Sequence, residues 1–271
     1  MDYKAKKQYG QNFLRDRRVL GQILEAAELS AADKVLEIGP GLGALTDLML
    51  PLAGLVRVME VDNELVARLQ TRSAENLIIH QGDALRLPWA TLLVDPPYKL
   101  VANLPYNISS QILFRILDHR PLFSRLVLMF QKEVGDRLCA RPGGKDYGIL
   151  SVHCQLWFAI RRVTIVAPGA FVPVPKVDSV VLAFTPLATP RAVVEDEPFF
   201  RRVVKGAFGQ RRKTLRNALL GAGFIEAGLR VALEQSEIDG GRRAETLSIE
   251  EFAALARELR PLSAGGAEAA Q

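Results

Sequence analysis

At 271 residues, 49% of them hydrophobic and 24% charged, the chain can hold one large domain and a small one around a substantial core. This is the composition of an ordinary globular protein, and no apolar run is long enough to span a bilayer, so no membrane-spanning role is expected. The net charge of +5 comes with clustered basic residues, which points toward nucleic acid, although a charged run can also be a solvated face.

The first residues, Met1–Lys7, lack the apolar core of a signal peptide, and two isolated cysteines, Cys139 and Cys154, make neither a disulfide framework nor a zinc site. A cytoplasmic protein is expected. Residues 1–18 form a basic arm (Lys4, Lys6, Lys7, Arg15, Arg17 and Arg18 against Asp2 and Asp16) around Gln11-Asn12-Phe13-Leu14; a frayed terminus is the alternative. Helical spacing runs from Val19 to Leu29, and Ser30 and Asp33 punctuate the turn into a strand at Lys34–Ile38.

That strand ends in Glu37 and breaks into Gly39, Gly41 and Gly43, after which apolar residues resume at helical spacing to about Leu50. Strand, glycine turn and helix describe the ligand crevice of an open α/β sheet, which lies beyond the carboxyl ends of the strands. The loop lacks the G-x-G-x-x-G spacing of a dinucleotide site, and glycines after a strand can also serve a tight turn alone. A second buried strand, Leu55–Glu60, puts Glu60 at its tip, 21 residues after Gly39, where it can accept from ribose hydroxyls. A helix over Asn63–Gln70 and a strand over Asn76–His80 then place Asp83 at a third tip. Three successive polar tips fit a site that holds both ribose and base.

Two tetrapeptides of the form [DN]-x-P-Y follow, Asp95-Pro96-Pro97-Tyr98 and Asn103-Leu104-Pro105-Tyr106. Such a turn suits chemistry at the exocyclic amine of adenine. A side-chain oxygen and a backbone carbonyl accept from the NH2 group and expose its lone pair, proline fixes the turn, and the aromatic ring stacks on the base. Asn103 precedes a well-patterned helix with Ser109 or Ser110 as cap, whereas Asp95 precedes another strand pattern. Asn103 is therefore the catalytic candidate, and Asp95–Tyr98 a surface turn before strand four.

A fifth strand (Leu126–Gln131), a helix (Lys132–Leu138), a polar glycine-rich loop (Arg141–Gly148, a lid or simply a loop) and a buried helix (Ile149–Phe158) come next. Arg161–Val166 and Val177–Thr185 read as a closing hairpin, joined by a proline-stiffened loop around Phe171. Phe171 is either a second stacking face opposite Tyr106 or a ring packed on the sheet. Beyond a linker at Pro186–Glu197 the pattern is helical. Phe199–Asn217 carries Arg201, Arg202, Lys205, Arg211, Arg212, Lys213 and Arg216 with no acidic residue, seven charges in 19 residues, the pattern of a contact to a nucleic-acid backbone. Further helices at Phe224–Glu234 and Ser248–Leu259 are mixed in charge, and the tail from about residue 263 reads as disordered.

Lys7–Leu14, Val35–Gly43, Asn103–Ile108 and Phe171–Ser179 together resemble the small-subunit ribosomal RNA adenine dimethyltransferases of the bacterial KsgA type, over residues 7 to about 260. The resemblance implies a class I (Rossmann-like) methyltransferase fold with a seven-stranded, mostly parallel sheet in residues 1–187, and a small all-helical, ribosome-contacting domain in residues 188–271. It implies S-adenosylmethionine as donor, no metal, and two methyls on N6 of each of two adjacent adenosines in a hairpin loop near the 3′ end of small-subunit RNA. The partner it implies is a pre-assembled small subunit, met by a monomer. By resemblance, Gly39 and Gly41 meet the methionine part of the donor, Glu60 its ribose, Asp83 its adenine amine, and Asn12 and Leu14 close over it. Asn103 and the Leu104 carbonyl orient the target amine in a turn set by Pro105, while Tyr106 and Phe171 sandwich the ring. The Asp95–Tyr98 element stands outside the family pattern. It leaves a DNA adenine-N6 methyltransferase that uses this element as one rival; a non-enzymatic ribosome-assembly or transcription factor on the same scaffold is another.

Overall fold

A computed structural model describes residues 3–264. Helix α1 (Arg17–Ala27) is capped by Asp16, whose side chain accepts from Arg18 and Val19, and ends at Glu28 in a left-handed conformation. It starts and stops two residues earlier than its apolar spacing suggests. Strand β1 (Lys34–Ile38) leads through the glycine turn into a helix α2 of four residues only, Thr46–Met49, so that most of the expected helix is turn. β2 (Leu55–Glu60), α3 (Asn63–Gln70) and β3 (Leu77–Gln81) follow, then the short α4 (Trp89–Leu92) and β4 (Tyr98–Asn103). Next are α5 (Ser109–Asp118), β5 (Phe123–Gln131), α6 (Lys132–Cys139) and α7 (Ile149–Trp157). β6 (Phe158–Val166) and β7 (Ser179–Pro186) complete the sheet.

The seven strands lie in the order β3-β2-β1-β4-β5-β7-β6. The pairs β3–β2, β2–β1, β1–β4 and β4–β5 are parallel, and β7 is antiparallel to β5. The sheet is therefore the mostly parallel one the sequence implies. Its order reverses between β1 and β4, which opens a crevice at their carboxyl ends. The central strands are mostly apolar, broken at Glu37, Arg57 and Lys99, because both faces are covered: Val35, Leu36, Val56, Val58, Leu100 and Val101 are all buried. A separate two-residue pair joins Phe13–Leu14 to Phe171–Val172.

The chain divides into two compact units. One runs to Gly135 and takes up again at Ala159–Pro186; the other holds Asp136–Phe158 and the chain from Leu187. The sequence pattern assigns all of residues 1–187 to the sheet domain, but α7 belongs to the helical unit. Its Val152 and Leu156 share a buried cluster with Phe200, Val203, Leu219 and Phe252. The helical unit continues with α8 (Glu197–Phe208), α9 (Leu215–Gly221), α10 (Glu226–Gln235) and α11 (Ile249–Ala264). α11 carries the chain in helical form past residue 263, and the rest of the expected tail lies outside the described residues. Among those residues, no helix is long and apolar enough to cross a membrane.

Candidate active site

The carboxyl ends of β1, β2, β3 and β4, with the N-terminal arm, enclose a cavity of about 410 Å³, within the ordinary range for a small-molecule site. Asn12, Leu14, Gly39, Gly41, Glu60, Asp83 and the whole of Asn103–Tyr106 line it. Sequence positions scattered over nearly a hundred residues thus meet in one place.

The glycine loop is shaped by backbone that other residues resist: Gly39 and Gly41 have φ of +65° and +58°. A Cβ on Gly41 would fall 2.9 Å from the Phe13 ring, so the arm closes onto the loop only because that side chain is absent. Glu60, 5% exposed, accepts from the backbone N–H of Val61 and Asp62 at 2.9 Å and of Gly41 at 3.2 Å. Burial nevertheless outweighs these bonds and holds its carboxyl above the usual range. Glu37 is buried beside it, accepts from the Thr46 hydroxyl at 2.5 Å, and is pushed up to about 8, mainly by burial and further by the Glu60 charge. At the third tip, Asp83 is half-buried and turns its own loop by accepting from Leu85 N–H at 2.9 Å. Arg115 of α5 donates to the Leu85 and Leu87 carbonyls of that loop.

Asn103 ends β4, and its Nδ2 donates to the backbone carbonyl of Asn12 at 3.0 Å. With the amide nitrogen held by the arm, Oδ1 is the oxygen left to accept. Tyr106 is fixed through a 2.6 Å hydrogen bond between its hydroxyl and Ser179, and burial raises its pKa. The helix that follows has no side-chain cap: Ser109 lies inside α5 and donates to the Tyr106 carbonyl, and Ser110 makes no cap either.

Phe171 requires a correction. It is 0% exposed, pairs with Leu14, belongs to the sheet's core cluster, and is not among the residues around the cavity. The residues that follow it, Val172, Pro173 and Val174, are exposed. Asp95 is placed at the opposite end of the sheet. It precedes β4 with φ +53°, its carbonyl accepts from Lys34 Nζ, and Tyr98 is buried in the strand, bonded to Arg57 and the Val94 carbonyl.

One residue the motifs miss is Asp62, the N-cap of α3. It accepts from Glu64 N–H and from Tyr3, Lys6 and Gln11 of the arm, and these partners hold its carboxyl down to about 2 although burial opposes them. The arm is therefore docked, not frayed. Its sequence signal is the second acidic residue of Glu60-Val61-Asp62, standing where a helix cap belongs.

The family model for ribosomal RNA adenine dimethylase matches residues 2–260. The chain belongs to that family. It is 64% identical to the ribosomal RNA small subunit methyltransferase A of Syntrophotalea carbinolica, with 96% of this chain and 99% of that protein covered. It is 53% identical to the protein of that name in Geobacter sulfurreducens, with 97% of each covered. Among solved structures, a dimethyladenosine transferase from Plasmodium falciparum superposes with a TM-score of 0.75 at 29% identity, covering 92% of this chain and 98% of that one. The fold is thus the class I, Rossmann-like methyltransferase fold.

In this dimethylase the basic stretch of the helical unit is two elements, not one helix. α8 ends at Phe208, and Arg211, Arg212 and Lys213 lie in the exposed turn before α9. Arg201 pairs with Glu197, Arg216 pairs with Glu226, and Arg202 stacks over Phe224 at 4.8 Å. These three serve the unit's own structure as well as its charge. Lys205, Arg212 and Lys213 point to solvent, and Arg211 donates to the Lys145 carbonyl, which ties down the Arg141–Gly148 loop.

Proposed function

We propose that this chain transfers methyl groups from S-adenosylmethionine to N6 of two adjacent adenosines in a hairpin loop near the 3′ end of small-subunit ribosomal RNA. It does so as a cytoplasmic monomer on a pre-assembled small subunit. The observation that carries this reading is the Asn103 carboxamide, whose nitrogen is held by the Asn12 carbonyl so that its oxygen is the atom left to accept, in the lining of a nucleoside-sized cavity.

The residues present fit the donor. A carboxylate offers about four lone-pair positions, of which backbone amides use three at Glu60, leaving one for a ribose hydroxyl. Asp83 stands where an adenine amine is accepted, and the glycine loop lets backbone approach the methionine part. When bound, the donor supplies an electrophilic methyl carbon on a sulfonium. Asn103 Oδ1 and the Leu104 carbonyl accept from the target NH2 and bring its lone pair forward, Pro105 fixes the turn, and Tyr106 stacks on the ring. No strong general base is called for, because the proton leaves the amine after transfer. A loop adenosine suits such a site because little stacking is lost in presenting it. Lys205, Arg211, Arg212 and Lys213 contact phosphates of the particle, with Arg201, Arg202 and Arg216 adding to the field.

The test offers labelled donor with unmethylated small ribosomal subunits and adenine-containing duplex DNA side by side. Two methyls on each target adenosine of the subunit RNA are expected. Methyl in DNA alone would move the chemistry to another motif. Methyl in neither, with donor bound, would leave a role in assembly without catalysis.

A further inference from the structure

Capping α3 asks little of Asp62. An N-cap needs one acceptor for a helix N–H, which Ser, Thr or Asn supplies as well. Asp62 nevertheless keeps a carboxylate only 1% exposed and gives the helix a single bond, from Glu64 N–H at 3.0 Å. Its other contacts reach back into the arm: Tyr3 hydroxyl at 2.7 Å, Lys6 Nζ at 2.8 Å and Gln11 Nε2 at 3.4 Å. Gln11 in turn accepts from the Lys6 backbone N–H at 2.7 Å, which closes the arm into a loop.

From this anchor the arm crosses the site. Gly10 packs so tightly on Asn107 that a Cβ would fall 2.7 Å from its Oδ1, the Asn12 carbonyl holds Asn103 Nδ2, and Phe13 lies on Gly41. Asp62 also donates its N–H to Glu60, which grips Gly41. One residue thus connects to both sides of the site, its backbone N–H to the donor cradle and its carboxylate, through the arm, to the catalytic amide.

We propose that Asp62 is a positioning residue: with Tyr3, Lys6 and Gln11 it latches the N-terminal arm across the cavity, and through the Asn12 carbonyl it sets which atom of the Asn103 amide faces the target amine. This rests on the methyl-transfer reading above. The latch makes arm closure and amide orientation one event, so a chain with an open arm binds target without presenting a competent acceptor.

The test is Asp62→Asn, which keeps the cap but removes the charge facing Lys6 and one acceptor oxygen. The melting temperature is expected to stay within about 2 °C. At saturating donor kcat on small subunits is expected to fall about tenfold or more, the scale of a small misplacement of a reacting group. Trypsin should cut at Lys4 and Lys6 faster than in the wild type. Lys6→Ala and Tyr3→Phe, which leave the cap untouched, should each reproduce part of the loss and add little to Asp62→Asn. Unchanged kcat with unchanged protection of the arm would overturn the latch. So would a loss of kcat matched by a loss of thermal stability and absent from Lys6→Ala, which would leave Asp62 a cap alone. If the wild type methylates no subunit RNA, the assigned function falls instead, and arm protection still decides the latch.

Discussion

Strand β4 carries nearly the same tetrapeptide at both ends. Asp95-Pro96-Pro97-Tyr98 enters it and Asn103-Leu104-Pro105-Tyr106 leaves it. At the entry the aromatic ring is buried in the sheet and its hydroxyl is used by Arg57 and Val94. At the exit the ring borders the cavity and the amide oxygen is left to accept. The difference lies in the direction of a parallel strand: β1, β2, β3 and β5 run parallel to β4 and deliver their following loops to the same exit side, so only there do several tips converge. Acids at the two ends divide the same way. Glu37 and Glu60 at the exit are held above the usual carboxylate range chiefly by burial. Asp33 at the entry is held below it, because hydrogen bonds from Lys99 and Ser30 outweigh its burial.

The hardest test of this contrast is a pair of alanines. Asn103→Ala should lower methyl transfer by about 10²–10³, the usual loss when one polar group aimed at a reacting centre is removed, while particle binding persists. Asp95→Ala should stay within about twofold, as surface changes do. Equal losses, measured as kcat on small subunits, would erase the distinction between the ends. The tyrosines divide next. Tyr106→Ala should weaken target binding by about 1–3 kcal/mol through lost stacking. Tyr98→Phe should leave transfer alone and cost about 0.5–1.5 kcal/mol in a denaturant titration, since it removes the hydroxyl that bonds the part-buried Arg57 and the Val94 carbonyl. A change remote from both ends separates binding from chemistry. Reversing Arg211 and Arg212 to Glu should weaken particle affinity about tenfold and lower its salt slope by about two, with donor affinity intact.

The smallest effect is in pH. Glu37, with a folded value of about 8 against an ordinary 4.5, keeps its proton in the folded chain while the unfolded chain releases it. Its contribution to stability is therefore full below the unfolded value and is lost as pH rises toward about 8. Melting curves of wild type and Glu37→Gln should lie close at pH 5 and separate at pH 8, with Gln the more stable. Asp33 runs the other way: its contribution is present above its unfolded value and lost as pH falls through the folded one, so Asp33→Asn should matter least in strong acid.

Much of this was legible before any coordinates. β1, β2 and α3 fall on the residues that period and punctuation mark out, because buried parallel strands and capped helices leave strong local signals. The choice of Asn103 over Asp95 rested on the helix pattern after it, a local feature as well. What escaped depends on partners distant in sequence. Phe171 reads equally as a stacking face or a packed ring, because what decides between them is its distant strand partner, Leu14. Asp62 carries no motif of its own because most of its partners lie in the arm. α7 reads as part of the sheet domain because chain order places it there, but its apolar face finds Phe200 and Phe252. Helix-breaking by the glycine turn also ran further than the spacing implied, leaving α2 four residues long.

The pairing of Phe13–Leu14 with Phe171–Val172 has a bearing on assembly of the fold itself. The arm leaves the ribosome first, yet its strand partner is among the last parts of the sheet domain to be made. Until then Phe13–Leu14 has no strand partner, and that pairing is of high sequence separation and slow to close. A chain stalled or truncated before residue 171 would have nearly all its donor contacts and the Asp62 anchor of the arm in place but no strand partner for Phe13–Leu14, so the arm is fully seated only late, with the final hairpin.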